Sequence, residues 1–336
     1  MLDKRKTYRF FESEKAKRRL KEYLEKRDCY PLDIVIHLNT TCNHRCDFCY
    51  NFLNLEKTNK KERNFFLDGD YVLNLINQLA KCDIDKLIIS GGGEPLLHKD
   101  IRKILETSLR YNFSTILYTN LDNDIDDLAI LLAGLNSIHV NINTTNKEIY
   151  NKTRGEKARF SRVKRNLERL IESNARLYAT IIVRDNTCEN LEETIYQLNK
   201  VGLKNVNISP AFKFDYRDGI KIDKSLKEME KLRQKIHDLN IKILEPEGRT
   251  VKDSNGNLFC KIHYFDITIG ADYCIYPCCT VSYLEEYRII NLKDYNSFRD
   301  AWNSEERYNW IKKSNIKCKT CWFAPVNEIL EEQDER

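Results

Sequence analysis

Between residues 34 and 209 the apolar positions of this chain switch repeatedly between two spacings. Short apolar runs of the length of buried strands fall at 34–38 (Ile-Val-Ile-His-Leu), 86–90, 115–118, 137–142, 177–183 and 205–209. Between them the spacing lengthens to that of helices. Val72, Leu75, Ile76 and Leu79 share one face of a helix expected over 70–81, and further helices are expected over 100–111, 126–133, 161–173 and 191–201. Strands that alternate with helices of this length imply parallel pairing through right-handed crossovers. The expected fold class is therefore α/β, a (β/α)6 partial TIM barrel over 31–240, with ligands at the carboxyl ends of its strands.

Past residue 259 the pattern changes. Residues 264–269 and 273–276 read as a hairpin around Gly270-Ala-Asp272, followed by a helix over 298–311, so 241–327 is expected to form a small hairpin-plus-helix domain. Ahead of the barrel, residues 1–30 form a basic helical extension with Leu20, Tyr23 and Leu24 at helical spacing, expected to lie as a solvated helix across the barrel end. Residues 51–64 are polar and read as an exposed excursion. Residues 328–336, with five acids and one base, read as an acidic tail, the frayed end of a helix.

Composition narrows the class. The 336 residues are 41% hydrophobic and 32% charged, which describes a globular protein and not a disordered one. No apolar run approaches the roughly 18 residues that span a bilayer, so a membrane is not an expected partner. The opening Met-Leu-Asp-Lys-Arg-Lys lacks the apolar core of a secretory signal, and a cytoplasmic location is expected. Net charge is +5, and residues 1–28 supply it with 11 Lys/Arg against 6 Asp/Glu; the balanced remainder argues against a nucleic-acid partner. Twelve cysteines in a reducing compartment point to metal ligation and not to disulfides.

Three of them stand at Cys42-Asn-His-Arg-Cys46-Asp-Phe-Cys49, on a loop leaving the first strand. Three thiolates can hold three irons of a cubane and leave the fourth iron open to a small molecule. A zinc loop with His44 or His37 as fourth ligand is the alternative. The second strand runs into Ser90-Gly-Gly-Gly-Glu-Pro95, where glycines allow close backbone approach and positive φ and Glu94 stands at the strand's carboxyl edge; an ordinary turn is the plainer reading. Asn141 and Asn143 end the fourth strand with amides that donate and accept, and Arg154 offers a carboxylate fork, each weighed against a solvated loop. Tyr118, Asn120, Ser209 and His98 are expected to face the cavity. Farther on, Cys260 and Cys278 flank the hairpin and Cys318 and Cys321 form a C-x2-C pair; tetrahedral zinc and a fully ligated [4Fe-4S] cluster both suit four such thiolates. Cys274 and Cys279 are substitutes if the register differs, and Cys29, Cys82 and Cys188 read as buried structural thiols.

The C-x3-C-x2-C run with Phe48 before its last cysteine resembles the signature loop of the radical S-adenosylmethionine (SAM) enzymes. The resemblance implies that Cys42, Cys46 and Cys49 are the catalytic cluster ligands and that the open iron chelates SAM. It also implies reductive cleavage of SAM to a 5'-deoxyadenosyl radical that abstracts hydrogen. Phe48, Gly92, Gly93, Glu94, Asn141, Asn143 and Arg154 are the SAM-binding residues it suggests, although many relatives carry Ser-Leu-Asp where this chain has Asn141-Ile-Asn143. Asp272-Tyr-Cys-Ile-Tyr-Pro-Cys278 is similar to the D-G-x-V-Y-P-C segment of SPASM and twitch domains, with Tyr273 in place of Gly. No cysteine follows Cys321, which fits the shorter twitch type: one auxiliary [4Fe-4S] cluster on Cys260, Cys278, Cys318 and Cys321. The implied activity is a radical SAM oxidoreductase that dehydrogenates, dehydrates or epimerises a sugar, cyclitol or nucleotide derivative, fed by a flavodoxin or ferredoxin. A maturase of ribosomally made peptides is the second expectation. A non-catalytic zinc or iron-sulfur binding protein is the third.

Overall fold

The computed structural model describes residues 8–57, 64–211, 223–235, 242–244, 249–250, 260–314, 316, 320–321 and 323–334. Its strands in chain order are β1 (Asp33–His37), β2 (Lys86–Ser90), β3 (Ser114–Thr119), β4 (Ser137–Asn141), β5 (Leu177–Val183), β6 (Asn205–Pro210), β7 (Lys242–Leu244), β8 (Arg249–Thr250), β9 (Asp266–Ile269), β10 (Cys274–Tyr276), β11 (Ile290–Asn291) and β12 (Thr320–Cys321). One sheet runs β11-β10-β9-β1-β2-β3-β4-β5-β6-β7, parallel from β9 to β7 and antiparallel at β10 and β11. β8 and β12 pair separately.

The expected α/β partial barrel is what forms, because each crossover helix buries one apolar stripe against one face of the sheet. On β5, Leu177, Ala179, Ile181 and Val183 are buried, in one core with Val163, Leu167 and Leu170 of the helix Phe160–Glu172 and Ile195 and Leu198 of Leu191–Lys200. Tyr178 and Thr180 alternate onto the other face. The helix expected over 126–133 shortens to Ala129–Ala133.

Three expectations change. The hairpin extends the barrel sheet: β9 lies parallel to β1 with Asp33 opposite Asp266, and β10 folds back on β9. Local periodicity cannot announce a partner so distant in sequence. The stretch over 51–64 is not an exposed excursion through its first half; the helix Tyr50–Lys57 buries Leu55, Asn51 and Asn54, while 58–63 lie outside the described residues. The helix over 298–311 is two, Phe298–Trp302 and Glu305–Lys313, because Ser304 caps the second by accepting from Arg307 N at 3.2 Å.

The two ends of the chain meet. Ala16 and Tyr23 of the amino-terminal helix Glu14–Lys26 share a core with Phe11, Leu32, Phe265, Val326 and Leu330. The final helix Ala324–Asp334 is packed through Leu330, which is fully buried, so this part of the acidic tail is not frayed. Among the described residues no helix is long and apolar enough to cross a membrane.

Candidate active site and its cysteines

β1 is buried along its whole length and delivers the cysteine loop at its carboxyl end. Neighbouring strand ends pin that loop. Asn43 Nδ2 donates to Asp122 O at 2.7 Å, His44 Nε2 lies 2.9 Å from Asp122 Oδ2, and Arg45 N donates to Arg154 O at 2.8 Å. Gly155, at φ +88°, lets the loop pass this closely; a Cβ there would sit 3.2 Å from the Cβ of Arg45.

Cys42, Cys46 and Cys49 are partly exposed, whereas Cys29, Cys82 and Cys188 are buried as expected. Their sulfurs collect donors: His44 N reaches Cys42 Sγ at 3.4 Å, Asn120 Nδ2 reaches it at 3.8 Å, and Arg154 Nη1 reaches Cys46 Sγ at 3.7 Å. Burial, then the Glu94 charge and the other two cysteines, push the Cys42 thiol up to about 12. Among the described residues no three His, Cys, Asp or Glu side chains converge on a point where one metal ion would sit. His44 Nε2 faces Asp122 Oδ2 at 2.9 Å, and His37 Nδ1 lies 3.1 Å from the Tyr283 hydroxyl.

Glu94 stands at the end of β2 as expected, but its carboxylate is turned into the chain. Oε1 accepts from Leu96 N at 3.0 Å and from Thr119 Oγ1 at 2.7 Å, and Oε2 accepts from Asn120 N at 2.8 Å. Burial raises the carboxyl to about 7 against the pull of these donors. The glycines before it also serve the chain: Gly93 N donates to Asn39 O at 2.7 Å, and a Cβ on Gly93 would lie 2.0 Å from Thr41 O. Gly91, Gly92 and Gly93 are not at positive φ, contrary to expectation; Gly92 and Gly93 permit close approach to the segment after β1, and Gly91 leaves room for the carbonyl of Gly93.

Arg154 is buried, with its guanidinium over the rings of Phe48 at 5.5 Å and Tyr150 at 5.0 Å, and Nη2 donates to Asn141 O at 3.0 Å. Asn143 Oδ1 accepts from Ile182 N at 3.1 Å. Buried polar atoms without a partner include Asn143 Nδ2 just past β4, Nε of Arg154 at the end of the helix Lys147–Arg154, Thr180 Oγ1 within β5, and Nε and Nη2 of Arg184 just past β5.

On the sheet face opposite the helices, Tyr118, His139 and Tyr178 are register neighbours, stacked at 4.4 and 4.7 Å. Burial lowers His139 to about 4, so its ring is neutral at pH 7, and Asn207 Nδ2 lies 3.2 Å from His139 Nδ1. Ser209 is buried on β6. Two cavity expectations fail: Asn120 holds the cysteine loop through Asn43 Oδ1 at 2.8 Å, and His98 is buried with Nε2 on Leu67 O at 2.8 Å. Sequence reasoning missed Asp122 and Arg184, although Arg184 directly follows the apolar run of β5.

The second cysteine group gathers differently. Lys261 N and Ile262 N, beside Cys260, donate to Asn327 Oδ1 at 2.7 and 2.8 Å, and Asn327 Nδ2 reaches Cys321 Sγ at 3.7 Å. Burial, then the nearby Cys278, raise the Cys321 thiol to about 12. Cys318 lies outside the described residues. Cys274 is buried with its sulfur on Asp272 O at 3.5 Å, and Cys279 lies against the Tyr50 hydroxyl. Asn54, on the helix leaving Cys49, donates to Thr280 O at 2.9 Å and Ser282 O at 3.0 Å, so one helix spans both groups.

Residues 36–196 match the Radical SAM superfamily. The chain is 26% identical over 208 residues to a probable GTP 3',8-cyclase of Methanococcus vannielii, covering 59% of this chain and 67% of that one. It is 26% identical over 157 residues to the dTDP-4-amino-4,6-dideoxy-D-glucose ammonia-lyase of Streptomyces venezuelae, covering 45% and 31%. Other probable GTP 3',8-cyclases are matched over 64% and 56% of their length, so the chain spans about two thirds or less of these relatives. Streptococcus suis SuiB, solved with S-adenosylmethionine and with its precursor peptide SuiA, superposes with a TM-score of 0.69 in both cases, at 16% and 15% identity, covering 93% of this chain and 75% and 74% of SuiB.

Proposed function

We propose that the chain is a radical SAM enzyme, as the match of residues 36–196 to that superfamily supports, and that it acts on a small polar substrate held over the row Tyr118, His139 and Tyr178. The observation that carries the reading is the convergence, at the carboxyl ends of β1, β4 and β5, of three partly exposed cysteines with buried polar atoms that lack partners. Three thiols, of which Cys42 and Cys46 are supplied with N–H donors, fit a cluster, because such donors stabilise sulfur charge, and unpartnered buried donors fit a polar ligand beside it. A cluster held by these three cysteines would supply the one-electron reduction that cleaves SAM and opens hydrogen abstraction from the substrate.

In this reading Cys42, Cys46 and Cys49 hold the cluster, and Arg154 donates to the Cys46 sulfur while stacking on Phe48. Asn143 offers its free amide hydrogens to SAM. Glu94, Gly92 and Gly93 set the ends of β2 and β3 around the loop, which makes them positioning residues. The relatives named for a nucleotide and a nucleotide-linked sugar support a substrate of that class. Cys260, Cys278, Cys318 and Cys321 are proposed to hold an auxiliary [4Fe-4S] cluster that accepts an electron from the substrate, and a flavodoxin or ferredoxin is the proposed donor. Anaerobically reconstituted protein should form 5'-deoxyadenosine from SAM and dithionite; equal formation by the Cys42→Ala/Cys46→Ala/Cys49→Ala variant would sink the assignment.

The fold likeness to SuiB over 93% of this chain, carboxyl-terminal third included, favours peptide maturation as the second reading. A short precursor-peptide gene beside this one would support it, and sugar-modifying neighbours would support the first.

A further inference from the structure

Arg184 has no part in the reading above, and it is the least satisfied charged group near the cysteine loop. It follows Val183 at the carboxyl end of β5 and is 5% exposed. Nη1 donates to Asp47 Oδ1, and the guanidinium lies 4.7 Å from the centre of the Phe48 ring, which also meets Arg154. Nε and Nη2 are buried with no partner. These two nitrogens form the side-on edge of the guanidinium, whose parallel N–H groups match the two oxygens of a carboxylate or phosphate. Arginine keeps its proton at any pH a protein survives, so the edge cannot escape its desolvation cost by neutralising. Charge points the same way: two buried guanidiniums flank Phe48, and the contacting carboxylate is Asp47, whose side chain is 54% exposed.

We propose that Arg184 is an anion-binding residue of this site, its free Nε–Nη2 edge taking two oxygens of a carboxylate or phosphate. Stacking on Phe48 and the ion pair with Asp47 hold the fork in place. The oxyanion belongs either to the carboxylate of SAM or to the substrate, and only the first source rests on the proposed function.

Binding measurements separate the two sources without turnover. Iron content of reconstituted wild type, Arg184→Gln and Asp47→Asn is measured first. If the anion is the SAM carboxylate, Arg184→Gln weakens SAM in equilibrium dialysis by about tenfold to a hundredfold, the range expected for a charge-assisted fork. If it is the substrate's, SAM affinity holds, and inorganic pyrophosphate raises the thermal midpoint of SAM-saturated wild type but not of Arg184→Gln. Asp47→Asn removes the ion pair on Nη1 that holds the fork and should weaken whichever anion binds. Unchanged affinity for both probes in Arg184→Gln of full iron content overturns the proposal. If that variant takes up no iron, unchanged affinity for both probes in Asp47→Asn overturns it. A wild type that binds but never cleaves SAM refutes the proposed function and leaves this inference standing.

Discussion

The two cysteine groups are assembled by opposite routes. Cys42, Cys46 and Cys49 lie on one loop, held by Asn120 and Asp122 from the segment after β3 and by Arg154 from the end of the helix Lys147–Arg154 that follows β4. Cys260, Cys278 and Cys321 come from separate segments and share little beyond Asn327 and a two-stranded ribbon. The first group is placed by a sheet that is stable for its own reasons. The second is gathered from distant segments, so ligand binding there is expected to contribute to the folding energy.

Metal loading should break the comparison most sharply. With two cubanes the wild type binds about eight irons per chain, and Cys278→Ala or Cys321→Ala should leave about four. Cys274→Ala and Cys279→Ala should keep about eight, because one thiol is buried on Asp272 and the other is satisfied by Tyr50. Loss of four irons from Cys279→Ala would move the ligand one residue along.

Asn54→Ala should come next. It leaves the Thr280 and Ser282 carbonyls without their buried donor, at about 1 to 3 kcal/mol each, and should lower the thermal midpoint while the Cys42 loop keeps its iron. An unchanged midpoint would show that the helix does not couple the two groups.

The first group alone carries Glu94. Burial raises its carboxyl from 4.5 to about 7, so the folded chain holds a proton that the unfolded chain releases in that window. Its contribution to stability is therefore full below 4.5 and is lost as pH rises through 7. Asp33 and Asp266, also raised by burial, act in the same direction. Chemical denaturation between pH 5 and 8 should show a shallower decline for Glu94→Gln than for wild type, and parallel curves would mean that Glu94 is charged throughout.

Tyr50→Phe should have the smallest effect, about 1 kcal/mol for one hydrogen bond to Cys279, with no iron lost. Iron loss would make the phenol part of the site's assembly.

Local signals were legible. The apolar runs at 34–38, 86–90, 177–183 and 205–209 fall on β1, β2, β5 and β6, since burial of a strand leaves its mark within the strand. The cysteine spacing found the first group for the same reason. Pairings between distant segments were hidden: nothing in 266–269 names β1 as its partner, and Asn54 and Asn327 look like any amide in a polar stretch. Glu94 was found by its position, yet its engagement by Thr119 and Asn120 depends on how β2 and β3 are staggered.

The parallel pairing of β9 with β1 sets an order of events during synthesis. β1 leaves the ribosome before the other strands of its sheet, but one of its edges stays open until the crossovers have been made and β9 emerges. An apolar strand with an unpaired edge invites pairing with other chains. A nascent chain halted before residue 266 would therefore be sticky, and the loop of Cys42 would be anchored to a strand still missing one neighbour. Iron would then enter the first cysteine group only after the carboxyl-terminal third has been translated.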